Sequence, residues 1–164
     1  MRNGVTADAL RKGGSTFHII FGLNLPQLSE IARSIGYDKE LALKLWGNTS
    51  TRCSLLLATM IINPNDFSQA EAEKWISEVT DYEVADILCL KLLSKTDYSY
   101  ILIKKYIDSS KLMSRYIAWR LLFTFLKRNP QYMEVWSKEI NETAANSIDS
   151  KIRNIALQIL MTLA

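Results

Sequence analysis

Histidine, cysteine, proline and long apolar runs are all scarce here, and each scarcity removes a class of function. A single histidine, His18, cannot build a multi-histidine metal site, and its lack of partners makes it a loop or packing residue. The two cysteines, Cys53 and Cys89, each sit in an apolar helical run with no nearby histidine or cysteine, so no metal-ligand spacing exists. They read as free buried thiols in a reducing cytoplasm. No metal and no cofactor are expected. Only three prolines and six glycines interrupt the chain, which favours long regular elements. No apolar run approaches the roughly 18 residues of a membrane span, and Asp8, Arg11 and Lys12 stand where a signal peptide would be apolar. A membrane partner is therefore not expected.

What is present fits one globular domain over residues 1–164, since 48% hydrophobic and 23% charged residues suffice for a sizeable core. The net charge of +3 is unevenly placed: residues 1–82 hold 8 basic and 9 acidic side chains, residues 83–164 hold 12 and 8. The basic excess of the second half permits nucleic-acid contact without demanding it.

The chain is organised around SQAEAEKWISEVTDYEVADILCLKLLSK, residues 68–95. Ser68 and Glu71 form a capping box that predicts a helix to about Val79, with Trp75, Ile76 and Val79 on its apolar stripe. A second helix restarts at Asp81, with Val84, Ile87, Leu88 and Leu92 at helical spacing. Asp86 stands inside that run, one turn after Tyr82. It is either on the solvated edge of the stripe or held in a cleft, because an unpaired buried charge is destabilising.

Elsewhere the pattern is also helical. Residues 1–12 predict a short helix broken by Gly13, Gly14 and Ser15. The strand-like FHIIFGLNLP has no partner strand and reads as a connector into a helix that starts near Asn24 and ends at Gly36, with Leu28, Ile31, Ala32 and Ile35 inward. Asp38 caps a helix to Trp46, and STRCSLLLATMIIN follows. Tyr98 to Ile107 pairs with Lys111 to Lys127, and Tyr132 to Ala145 pairs with Lys151 to Leu163. The fold class is all-α, with about ten helices.

Four second helices begin with a charged residue and continue apolar, from Arg52, Asp86, Arg115 and Arg153. Their spacings of 34, 29 and 38 residues form a loose period of the helical-repeat kind. Stacking such pairs would align these N-terminal turns along a concave groove. Positive helix ends and three arginines on one groove would attract phosphate. Alternatively, the arginines are salt-bridge partners for Asp86 and its neighbours.

FHIIFGLNLPQLSEIA, LALKLW with Arg52 and LLLATMI, and AEKWISEVTDYEVADILCLKLLSK resemble segments of the AlkD-like DNA alkylation repair family, over about residues 17–160. The resemblance implies HEAT-like antiparallel helical repeats forming a curved α-solenoid. It places the family's active-site aspartate at Asp86. Tyr82 falls where the family has a tryptophan four residues earlier, Arg115 at a phosphate-contacting arginine, and Gln158 at a second tryptophan. The chain is short for this family and ends inside an apolar helix, so a terminal element is expected to be missing.

The resemblance implies binding of double-stranded DNA with Arg115 and Gln158 at the groove and a role in base excision repair; the row of charged helix starts adds Arg52 and Arg153 as DNA-binding residues, and a monomer is expected. The activity implied by the resemblance would be N-glycosylase excision of cationic N3- or N7-alkylated purines. A cationic base is already a good leaving group, so a carboxylate need mainly stabilise charge developing on the sugar, with aromatic faces adding about 1 kcal/mol each. Tyr82 retains part of that contribution; Gln158 retains none. The alternative is a non-catalytic HEAT-repeat scaffold that binds a protein or unusual DNA structures.

Overall fold

The computed structural model describes residues 4–12, 17 and 21–163. The expectations for His18 and for a helix break at Gly13 to Ser15 fall outside those residues. The described elements are ten α-helices and three short 3-10 turns. Two compact units divide the chain, residues 1–68 and 69–164, where the sequence reads as one domain.

The first unit contains α1 (Gly4–Lys12), α2 (Leu25–Ile35), α3 (Lys39–Trp46) and α4 (Arg52–Ile61). Asn24 and Gln27 form a reciprocal capping box at the start of α2, with Pro26 in its first turn. Gly36 ends it at φ 77°, a left-handed conformation in which a Cβ would be strained. Asp38 caps α3 by accepting from the Leu41 amide at 2.9 Å. Both α2 and α3 pack on α4, whose Leu56, Ala58 and Ile61 are fully buried. Only Leu28 and Ala32 of α2 are buried; Ile31 and Ile35, expected inward, are exposed. Within the unit α2 packs on α4 along a narrow stripe, and those two isoleucines lie on its margin.

The second unit holds α5 (Gln69–Glu78), α6 (Tyr82–Lys91), α7 (Ser99–Tyr106), α8 (Leu112–Arg128), α9 (Met133–Asn146) and α10 (Ser150–Leu163). Helix α8 is its hub, packing against α5, α6, α7 and α10. It can do so because its 17 residues bury Tyr116, Ile117, Ala118, Trp119, Leu121, Leu122 and Leu126 around much of its circumference. Burying each of the larger aliphatic side chains among these contributes roughly 1.5–3 kcal/mol before entropy is counted. Helices α6 and α10 therefore flank α8, and α9 backs α10 through a connection at residues 147–149.

Candidate nucleic-acid interface

Asp81 caps α6 by accepting from the Val84 amide at 3.1 Å, which makes Tyr82 the first residue of the helix. Asp86 lies four residues on and shares that face. Val84, Ala85, Ile87, Leu88 and Cys89 are buried, whereas Tyr82, Asp86 and the exposed Leu90 trace the uncovered edge. Asp86 is thus neither freely solvated nor sunk in the core.

Two side chains of α8 meet it. The Tyr116 hydroxyl donates to Asp86 Oδ1 at 2.8 Å, and Arg120 Nε stands 2.9 Å from the same oxygen. Arg120 Nη2 reaches Oδ2 at 3.5 Å, making a two-point guanidinium–carboxylate contact. The pair is partly open, with 27% of the Arg120 side chain and 32% of the Asp86 side chain exposed. Tyr116 and Arg120 are one helical turn apart, so both reach α6. Burial, then the hydrogen bond to Asp86 and the charge of that carboxylate, push the Tyr116 phenol well above its ordinary pKa. The phenol stays protonated and remains a donor. Burial together with the Asp86 charge likewise raises the Cys89 thiol, which donates to the Ile117 carbonyl at 3.4 Å. Cys89 is therefore an inert core residue.

Helix α10 completes the cluster. Arg120 Nη1 donates to Gln158 Oε1 at 3.3 Å, and Lys151 Nζ lies 4.4 Å from the centroid of the Tyr82 ring. Lys151 and Gln158 are seven residues apart, two turns along one face. Tyr82 in turn meets Tyr116 edge to face, with centroids 4.7 Å apart and planes at 78°. Further along α8, Phe123 carries Lys127 Nζ at 4.6 Å and the Arg120 guanidinium at 5.8 Å. A continuous string of contacts, Lys151–Tyr82–Tyr116–Asp86–Arg120–Phe123–Lys127, runs across the three helices. It sets three cations against one carboxylate.

The arginine beside Asp86 is Arg120, not Arg115. Successive side chains on a helix diverge by about 100°, so Arg115 points about 140° away from Arg120. It lines a separate cleft of about 580 Å³ with Asp108, Trp119, Glu142, Asp149 and Ile152. Arg52 is also displaced from its expected role: it is 2% exposed, and its Nη1 donates to the Leu23 carbonyl at 2.8 Å. A guanidinium so enclosed holds the 21–24 connector rather than a ligand. Arg153 is exposed in the first turn of α10, and Gln158 is exposed on the same helix.

Arg120, Tyr116 and Lys151 were not singled out from sequence. A uniform period would have found the first, since Asp86 lies 34 residues after Arg52 and 34 before Arg120. The loose spacing of charged helix starts led to Arg115 instead. Nothing local marks Tyr116 or Lys151, whose roles arise only from contact between helices.

The fold and this cluster together describe a helical-repeat protein with a charged, aromatic face. The sequence matches the family described as DNA alkylation repair enzyme over residues 3–154, and the chain belongs to that family. A solved structure from a family related to the HEAT-like repeat DNA glycosylases, described as having affinity for branched DNA structures, superposes with a TM-score of 0.83. It is 18% identical and covers 96% of this chain and 69% of its own. At that identity the likeness establishes the fold, HEAT-like helical repeats. No curated protein matches the sequence. No helix among the described residues is long and apolar enough to cross a membrane, and no His, Cys, Asp and Glu group among them could hold a metal ion.

Proposed function

We propose that the protein is a DNA-binding member of the alkylation repair family, gripping the duplex backbone through the uncovered face of α6, α8 and α10. The observation that carries this reading is the contact string from Lys151 to Lys127, in which cations outnumber carboxylates and alternate with aromatic rings. Phosphate contacts by such a face are sequence-independent and weaken with salt as counterions are released. Arg153, exposed in the first turn of α10, lies about 200° around the helix from Lys151 and so falls outside this face. The reading takes residues 1–164 as one functional domain, acting as a monomer in the cytoplasm. Family membership draws it toward DNA rather than toward a protein-binding scaffold. The branched-DNA affinity described for the similar structure makes a four-way junction a pertinent ligand beside linear duplex.

The same reading assigns Asp86 as the carboxylate for excision of cationic N3- or N7-alkylated purines. In the resting cluster Arg120 offsets its charge, which weakens the attraction available to a sugar cation. Excision is accordingly slow, with binding as the dominant property. Fluorescence anisotropy with duplex and junction over a salt series tests the binding. Wild type should bind both, with affinity falling steeply as salt rises; absent or salt-independent binding would refute the proposal. Methylated duplex tests the chemistry through released 3-methyladenine and 7-methylguanine. Asp86→Asn keeps the shape, removes the charge and should abolish any release by wild type.

A further inference from the structure

Tyr82 and Asp86, neighbours on one face of α6, would both attract a cation, and the chain's own cations occupy both. The Lys151 ammonium lies 4.4 Å from the Tyr82 centroid, the range at which a ring face holds a positive charge. Asp86 is taken by Arg120 Nε at 2.9 Å and by the Tyr116 hydroxyl at 2.8 Å.

Helix stability does not account for Lys151. It stands in the first turn of α10, where the positive helix end disfavours a cation, and Arg153 places a second cation in the same turn. Asp149 caps the helix by accepting from the Ile152 amide at 2.8 Å. Neither Lys151 nor Arg153 forms an ion pair with a described residue. The compensating contact of Lys151 is the Tyr82 ring.

We infer that Lys151 is a specificity-determining residue: its ammonium fills the cation site on Tyr82, so the face discriminates against a cationic nucleobase and accepts uncharged bases and phosphate. The inference rests on the reading of this face as the DNA-contacting one. A cationic base entering the site must displace Lys151 from the ring or stack beside it against charge repulsion.

The test compares the affinity of the full chain for two duplexes, one carrying a single 7-methylguanine and one unmodified, at fixed salt. Wild type should bind the alkylated duplex no more tightly than the unmodified one. Lys151→Ala clears the ring and should shift the ratio about threefold toward the alkylated duplex, the size of one exposed cation–aromatic contact. Lys151→Arg retains a cation and should keep the wild-type ratio. Tyr82→Leu in the Lys151→Ala background should cancel the gain. If Lys151→Ala weakens both duplexes alike with the ratio unmoved, Lys151 is only a phosphate contact: the inference fails and the DNA reading stands. A wild-type preference for the alkylated duplex also overturns the inference. Absence of duplex binding by wild type overturns both.

Discussion

Arg52 and Arg120 stand 34 residues before and after Asp86, yet one is 2% exposed and the other keeps 27% of its side chain open. Arg52 opens α4 beneath the 21–24 connector and spends its guanidinium on a backbone carbonyl. Arg120 lies in the middle of α8, where α6 and α10 flank the helix and leave its outer stripe uncovered. The same side chain therefore serves as an internal strut in one unit and as part of a charged face in the other. What decides between them is whether neighbouring backbone needs a donor or a neighbouring helix supplies a carboxylate in view of solvent.

Removing the strut should have the largest effect on stability. Arg52→Ala leaves the Leu23 carbonyl without this donor and empties the volume of the arginine stem, a loss of about 2–3 kcal/mol. Urea denaturation should show a lower midpoint, while DNA affinity per folded molecule stays at the wild-type value. Arg120→Ala should reverse that pattern. Its partly exposed pair with Asp86 contributes about 0.5–1 kcal/mol to stability, but DNA binding should weaken severalfold at low salt and the salt slope fall by about one. Equal stability losses in the two variants would erase the distinction between strut and face.

A smaller effect concerns alkaline pH. The folded Tyr116 holds its proton more tightly than the unfolded chain does, so its contribution is complete below the ordinary tyrosine value of 10.0 and is lost as pH rises through the raised folded value. Thermal melts of Tyr116→Phe should therefore lose less stability than wild type between neutral pH and the range above pH 10.0, whereas parallel curves would detach the phenol from Asp86. Arg115→Ala should have the least effect on DNA, below about twofold in duplex affinity, because its side chain leaves α8 on the side away from Arg120. A loss matching that of Arg120→Ala would bring the cleft of Arg115 into the binding face.

Most of the helical architecture was legible. The predicted helix from Lys111 to Lys127 is observed at Leu112–Arg128, and that from Lys151 to Leu163 at Ser150–Leu163. Caps at Asp38 and Asp81 and the stop at Gly36 follow from local hydrogen bonding and backbone freedom, which depend on a few adjacent residues. Asp86 stood out because a carboxylate broke an apolar stripe. Ile31 and Ile35 misled because an apolar stripe shows which side of a helix is greasy, not how much of it a neighbour covers.

The sequence by itself determined the helices, the all-α class and the family, since these rest on periodicity, capping and motif, all read within a few turns of chain. It also placed Tyr82 and Asp86 on one face, because a spacing of four can do nothing else in a helix. Only the tertiary structure decided that Arg120 and not Arg115 meets Asp86, that Tyr116 donates to it and that Lys151 covers Tyr82. Those choices depend on the rotation of α8 and α10 against α6, and a rotation about a helix axis is set by the packing of side chains 30 or more residues apart.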